Sequence, residues 1–73
     1  MIKFQYYNMI VVYDEKTDSY KLISSFDNRF MIKVDREFIK NEDDFMRKMR
    51  YITIYREIYK RLGKEFKTEG LFD

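Results

Sequence analysis

Residues 41–67 constrain the fold more than any other stretch, because apolar side chains recur along them at the spacing of an α-helix. At about 100° per residue these side chains share one side of a helix, spread over roughly 180°. They are Phe45, Met49, Tyr51, Ile52, Tyr55, Ile58, Tyr59, Leu62 and Phe66. The spacing predicts one long amphipathic helix over 41–67, with Asn41 as N-cap and acidic residues at 42–44 in the first turn. Ile54 projects to the polar side, so we expect it to tolerate Asp far better than Ile52.

The C-terminal end of this helix depends on Gly63. Glycine after an apolar stretch is typical of a helix end, because it adopts the left-handed conformation without strain. Phe66, however, falls back on the apolar side of the projection. We therefore expect the helix to continue through Gly63, followed by a tail, residues 68–73, whose Leu71 and Phe72 fold back onto the core.

The N-terminal half carries β-strand patterns. Residues 2–13 are rich in β-branched and aromatic residues, and the alternation of apolar side chains changes at Asn8, where we expect a bulge. Residues 20–26 and 30–34 are predicted as two further strands. The chain is therefore predicted to be a single α+β domain, in which a three-stranded antiparallel β-meander over 1–34 precedes the long helix in the order βββα.

The turn between the second and third strands sets their register. A three-residue loop at 27–29 places Leu22 opposite Val34 and keeps the apolar side chains on one face. Asn28 or Arg29 is then expected near the left-handed region of backbone conformation.

Composition limits how a chain this small can be stabilised, and it also indicates the kind of genome that encodes the chain. Seventy-three residues bury only about 60% of the unfolded surface, and the chain has no Cys for disulfides and no His. Large side chains must provide the core, and the chain has seven Phe, seven Tyr and five Met. Ala and Pro are absent while Lys, Ile, Tyr and Phe are common, which indicates an AT-rich genome. A very short gene in such a genome indicates a phage, virus, plasmid or low-GC bacterium as the source, and we take a phage or another mobile element as the leading hypothesis.

Catalytic function is disfavoured by the same composition. Without His or Cys there is no imidazole base and no thiol nucleophile, and two glycines cannot form a Gly-rich phosphate loop. The acidic residues at 42–44 are typical of a helix start. We expect no enzyme activity, no cofactor and no metal site.

The longest uncharged stretch, residues 4–13, is too short to span a bilayer, so we expect no membrane association and a cytoplasmic location.

Charge is distributed unevenly along the chain. Residues 1–44 hold seven basic and nine acidic residues, whereas residues 45–73 hold eight basic and four acidic ones. The predicted helix has a basic side opposite its apolar side, which is either a solvated surface or a surface for an anionic partner. Its candidate partner-binding residues are Arg47, Arg50, Lys60, Arg61 and Lys64.

Aromatic side chains of the predicted sheet are the second set of candidate partner-binding residues. They are Tyr6, Tyr7, Tyr13 and Tyr20. Tyr and Arg are enriched in protein–protein hot spots. The leading hypothesis is a non-catalytic protein-binding module that acts as an inhibitor or adaptor of a host protein. One alternative is a nucleic-acid-binding protein that uses the basic helix side, and another is a homodimeric scaffold whose aromatic helix faces pair.

Overall fold

The computed structural model describes residues 1–71, apart from the side chain of Met31. Within that part of the chain, four β-strands precede two α-helices. The strands are β1 (Ile2–Tyr6), β2 (Met9–Asp14), β3 (Ser19–Ser24) and β4 (Phe30–Val34), and the helices are α1 (Arg36–Lys40) and α2 (Phe45–Leu62). The predicted α+β class, an antiparallel meander followed by a long helix, is confirmed. The chain divides into two compact units, one with the sheet (Met1–Asp35) and one with both helices (Arg36–Asp73).

The sheet has four strands because residues 2–13 form a hairpin. All neighbouring strands are antiparallel, in the order β1-β2-β3-β4. Tyr6 pairs with Met9, so Tyr7 and Asn8 form a two-residue turn, and the predicted bulge at Asn8 is wrong. A two-residue turn and a one-residue bulge both shift the alternation of side chains by one position. The two structures therefore leave the same apolar pattern in the sequence.

The register gives the sheet two different faces. One face, here called the core face, carries the buried apolar side chains of this unit: Val11, Tyr13, Tyr20, Leu22 and Val34. The other face, here called the lysine face, carries Lys3, Lys21 and Lys33 together with Val12, Ile10, Ile23 and Phe30. Polar and apolar side chains alternate along β1, as expected for a strand with one buried face, whereas β2 is apolar on both faces from Met9 to Tyr13.

The register of β3 with β4 differs from the prediction. Leu22 pairs with Ile32 and not with Val34, and a bulge lies beside the Leu22–Ile23 step. The loop that connects β3 and β4 has five residues, 25–29. The backbone N–H of Ser24 donates to the carbonyl of Arg29 at 2.9 Å, which closes the loop. Asn28 has a φ of +57°, which confirms the predicted left-handed residue. The longer loop and the bulge together keep the apolar side chains on the core face. The apolar pattern of the sequence does not distinguish this arrangement from the predicted three-residue loop.

Helix α2 begins later than predicted, because Asp44 and not Asn41 is its N-cap. Asp44 has extended backbone angles, and its Oδ1 accepts hydrogen bonds from the backbone N–H groups of Met46 at 2.9 Å and Arg47 at 3.4 Å. These are donors that the first turn of a helix leaves without an intrahelical partner. Asn41 instead follows the last residue of α1, and its side chain donates to the carbonyl of Glu37 in that helix.

Helix α2 ends at Leu62, and the predicted continuation to residue 67 is wrong. Gly63 has a φ of +72° and donates to the carbonyl of Lys60 at 3.2 Å, while Lys64 donates to the carbonyl of Tyr59 at 2.9 Å. This pair of hydrogen bonds is the Schellman motif, which satisfies carbonyl groups of the last turn. The chain then reverses and returns Phe66 to the helix. The ring of Phe66 lies 5.4 Å from that of Tyr55, with the two planes 19° apart.

The helical unit has its own buried residues. Tyr51, Ile52, Ile54, Tyr55 and Ile58 of α2 are buried, over an arc of about 160°. Ile54 is 0% exposed, so the prediction that it lies on the polar side is wrong. Phe45 and Met49, which the helical projection placed on the apolar side, are exposed instead. The buried arc is therefore rotated toward Ile54 relative to the apolar stripe.

Residues outside α2 complete this unit. Arg36 of α1 lies over the Phe66 ring, with its guanidinium carbon 5.4 Å from the ring centroid, and donates to the carbonyl of Lys67 at 2.6 Å. Ile39 and Leu71 are buried. Phe72, which was predicted to fold back with Leu71, lies outside the described residues.

Candidate functional site

The candidate basic residues do not form one continuous stripe on α2. Arg47 forms ion pairs with Glu42 at 3.1 Å and Asp44 at 3.3 Å, so its charge is partly neutralised at the helix start. Arg61 pairs with Glu57 at 3.0 Å, one turn earlier on the same helix. Exposed pairs of this kind contribute little to stability, but they reduce the positive potential that an anionic partner meets.

The remaining three basic candidates are also separated. Arg50 and Lys60 are exposed on α2, and Lys64 lies beyond the end of the helix at Leu62. Buried Ile54 projects between the directions of Arg47 and Arg61, which interrupts the predicted basic side. The helix surface therefore has dispersed positive charge and no row of cations at regular spacing.

The candidate tyrosines of the sheet separate into buried and exposed residues. Tyr13 and Tyr20 are buried on the core face, and the hydroxyl of Tyr13 donates to Asp18 Oδ1 at 2.7 Å. Their rings are core residues and are not accessible to a partner, which corrects the sequence-based assignment. Tyr6 is half-buried, whereas Tyr7 is 82% exposed. Tyr13 and Tyr20 are paired neighbours on the core face, Tyr6 lies at the end of β1 on the same face, and Tyr7 lies in the turn outside the strands.

Tyr7 occupies an unusual backbone conformation. It is the first residue of the two-residue turn and has a φ of +53°, a region that bulky side chains rarely adopt. Its carbonyl accepts a hydrogen bond from the Gln5 side chain at 2.6 Å, and its ring meets the Tyr6 ring edge-on at 4.8 Å. Local contacts thus hold an exposed aromatic residue where Gly or Asn would be less strained.

The β1–β2 turn is joined to the β3–β4 loop by hydrogen bonds. Ser25 donates twice to the carbonyl of Asn8, from its hydroxyl at 2.9 Å and from its backbone N–H at 3.3 Å. Both connections therefore lie at the same end of the sheet. The longer loop is also closed on itself, because Asn28 N–H donates to the Ser24 carbonyl at 3.0 Å.

Phe26 projects from this loop and is 85% exposed. The predicted strand over 20–26 included Phe26, so the sequence-based reasoning missed it as a surface residue. A usable signal was the polar stretch around it, because a Phe flanked by Ser25 and Asp27 is more typical of a loop than of a buried strand. We call the two joined loops, residues 7–8 and 25–29, with their exposed Tyr7 and Phe26, the aromatic tip.

The aromatic side of α2 is packed against Phe66 and does not form such a surface. Tyr51 and Tyr55 are buried, and their rings lie 4.5 Å apart. Phe66 contacts the rings of Tyr51, Tyr55 and Tyr59 at centroid distances of 6.1, 5.4 and 5.4 Å. A dimer formed by pairing these aromatic faces would have to open this cluster first.

Within residues 1–71, no group of three or more acidic side chains is placed to hold a metal ion. Neither helix of that part of the chain has the length and apolar content needed to cross a lipid bilayer. No protein-family model, curated protein or solved structure matches the chain. Any inference about the function of the aromatic tip therefore rests on its own geometry.

Proposed function

We propose that this chain is a non-catalytic protein-binding module that docks on a larger protein through the aromatic tip. One observation carries the proposal: Tyr7 and Phe26 are 82% and 85% exposed on two loops that hydrogen bonds join at Asn8. Large aromatic side chains in water are unfavourable unless a partner covers them, and such residues dominate binding energy in protein interfaces.

The bracing of the loops supports a binding role. A flexible loop loses conformational entropy when it binds, whereas a loop already held by hydrogen bonds loses much less. The Ser25–Asn8 and Ser24–Asn28 hydrogen bonds hold the backbone on either side of Phe26. Gln5 and Tyr6 do the same for Tyr7. The tip therefore presents two rings in a defined geometry.

The backbone strain at Tyr7 is a second argument. A non-glycine residue with a positive φ costs about 1–2 kcal/mol relative to glycine. The edge-on contact with Tyr6 returns about 0.5–1.5 kcal/mol, which is similar in size to that cost. Tyrosine therefore gives the fold little net advantage over Asn at this turn, which supports a binding role for the exposed ring.

The mode of action that we propose is occlusion. A module of this size binds a functional surface of a larger protein and blocks or redirects it, as an inhibitor or adaptor encoded by a phage or another mobile element. The amino-acid composition, which is typical of proteins from AT-rich genomes, supports this source. The proposed site of action is the cytoplasm of the host cell.

A photo-crosslinking experiment in the natural host tests the proposal. A photoreactive phenylalanine analogue replaces Phe26 in one variant and exposed Arg56 of α2 in another. We expect one host protein to crosslink at position 26 and not at position 56. The purified host protein is then titrated with the wild-type chain and with Tyr7→Asn, Phe26→Ser and the double variant. Each single change is expected to weaken binding at least tenfold, since hot-spot aromatics contribute about 2 kcal/mol or more.

Stability measurements separate loss of binding from loss of fold. Tyr7→Asn keeps a residue that tolerates a positive φ, so the free energy of unfolding is expected to stay within about 1 kcal/mol of wild type. Equal affinity of the double variant and the wild-type chain for the crosslinked protein would contradict the proposal. Equal crosslinking at positions 26 and 56 would contradict it as well.

A further inference from the structure

The strand register places three lysines in one row across the lysine face of the sheet. Lys3 pairs with Val12, Val12 pairs with Lys21, and Lys21 pairs with Lys33. Paired residues of neighbouring strands project to the same face, about 4.8 Å apart. The row therefore extends over about 14 Å, from the β1 edge of the sheet to the β4 edge.

These lysines are exposed, and among residues 1–71 no carboxylate forms an ion pair with any of them. Lys21 and Lys33 are direct cross-strand partners, an arrangement of like charges that destabilises a sheet. The fold does not need this pair. An anion bound between the two ammonium groups would turn the repulsion into attraction.

A cavity of about 130 Å³ lies beside the row on the same face. Its lining includes Lys21 and Lys33, the Met1 end of β1, Val12 and the hydroxyl-bearing Ser19. Asp14 is the one acid in this lining, and its Oδ1 accepts a hydrogen bond from the backbone N–H of Lys16 at 2.9 Å. The row thus combines positive charge with a concave surface of limited size.

On the other side of the lysine row lies a row of mostly apolar side chains, two residues away on β1, β2 and β3 and three residues away on β4, where the bulge brings Phe30 opposite Ile23. Its members are Gln5, Ile10, Ile23 and Phe30. Phe30 is 61% exposed at the β4 edge, and it pairs with Ile23 of this row. Cations and an exposed aromatic ring therefore lie in adjacent rows of one sheet face.

We propose that the lysine face binds single-stranded nucleic acid, with phosphates along Lys3, Lys21 and Lys33 and an unpaired base stacked on Phe30. A linear polyanion matches a row of about 14 Å, whereas one small anion reaches only the Lys21–Lys33 pair. Stacking on an exposed ring requires an unpaired base, which favours a single strand over a duplex. The surface uses none of the residues of the aromatic tip, so this activity is independent of the proposed protein binding.

Fluorescence anisotropy with labelled oligo(dT) and oligo(U) of about twelve nucleotides tests the assignment at several salt concentrations. We expect saturable binding that weakens as salt rises. In Lys21→Gln/Lys33→Gln, the slope of log affinity against log salt is expected to fall by about 1.4, because each phosphate contact on a single strand contributes about 0.7. Phe30→Ala is expected to weaken binding roughly five- to hundredfold.

Matched variants distinguish a specific row from general positive charge. Lys16→Gln/Lys67→Gln removes the same charge from residues that do not belong to the lysine face, and Arg50→Gln/Lys60→Gln removes it from α2. Both are expected to keep most of the slope. Lys21→Glu places a carboxylate opposite Lys33, so it is expected to raise the thermal unfolding midpoint by about 1–8 °C while weakening oligonucleotide binding.

Several results would overturn the assignment. One is wild-type binding no tighter than about 100 µM at low salt, the weak end of non-specific association. A second is an equal loss of slope in the two control variants. A third is equal competition by a duplex or by polyglutamate of the same charge, which would show that the face recognises charge alone. A change in Phe30→Ala below about twofold would remove the stacking role.

Discussion

Ile54 provides the sharpest test of the packing of α2. It is 0% exposed, although the apolar stripe of the helical projection leaves it on the polar side. Ile54→Val removes one buried methyl group, which costs about 0.5–1.5 kcal/mol in a well-packed core. For a domain of this size, each kcal/mol lowers the midpoint of thermal unfolding by about 4–8 °C. The expected decrease is therefore about 2–12 °C.

Ile54→Asp is a more severe change at the same position. At roughly 0.05–0.15 kcal/mol per residue, the total stability of a 73-residue chain is about 4–11 kcal/mol. An unpaired carboxylate in a fully buried position costs several kcal/mol, which is comparable with that total. We expect Ile54→Asp to be largely unfolded at about 25 °C, and we expect the same of Ile52→Asp.

Circular dichroism during thermal and urea unfolding measures these effects. Ile52→Val is the matched buried control, because Ile52 is 3% exposed, and it should lose about as much stability as Ile54→Val. Ile32→Val is the exposed control: Ile32 is 37% exposed, and a loss below about 0.5 kcal/mol is expected. A folded Ile54→Asp protein with a midpoint within a few degrees of wild type would refute the buried position and restore the simpler helical projection.

The two ends of α2 give further predictions. Gly63→Ala is expected to cost about 1–2 kcal/mol in urea unfolding, because the backbone at φ +72° is left-handed, while no atom lies within 4 Å of an added Cβ. Gly63→Asn is expected to cost less than half as much, and equal losses would contradict the conformational explanation. Asp44→Ala is expected to cost about 0.5–2 kcal/mol through loss of the N-cap. Asp43→Ala, at the adjacent exposed carboxylate, is expected to change stability by less than about 0.5 kcal/mol, and the reverse order would show that the helix begins elsewhere.

Local patterns in the sequence determined the α+β class, because each depends on neighbours within a few residues. The 3.6-residue recurrence of apolar side chains identified α2, and β-branched and aromatic residues identified the strands. The left-handed Asn28 also followed from the chemistry of a short loop. The end of α2 was ambiguous, since Gly63 and Phe66 supported different answers. The Schellman turn resolves that conflict by ending the helix and still returning Phe66 to the aromatic rings.

Only the tertiary structure decided which side chains are accessible. Tyr13 and Tyr7 both belong to the aromatic stretch at the start of the chain, yet one is buried and the other is exposed at a turn. Tyr13 is paired on the core face, whereas Tyr7 lies in the turn between β1 and β2. The sequence pattern does not reveal this turn, because a two-residue turn and a bulge shift strand alternation equally. Burial of Ile54 likewise depends on what covers the helix and not on the spacing of residues along it.

The candidate sites depend on contacts between residues far apart in the chain. The aromatic tip exists because Ser25 hydrogen-bonds to Asn8, seventeen residues earlier. The lysine row requires the registers of three strand pairs, and the bulge beside Leu22 is needed to restore the core face after the longer loop. Sequence periodicity determines which element a residue joins, because that is a property of the local backbone. Register and loop contacts determine which residues meet, because they depend on the whole sheet.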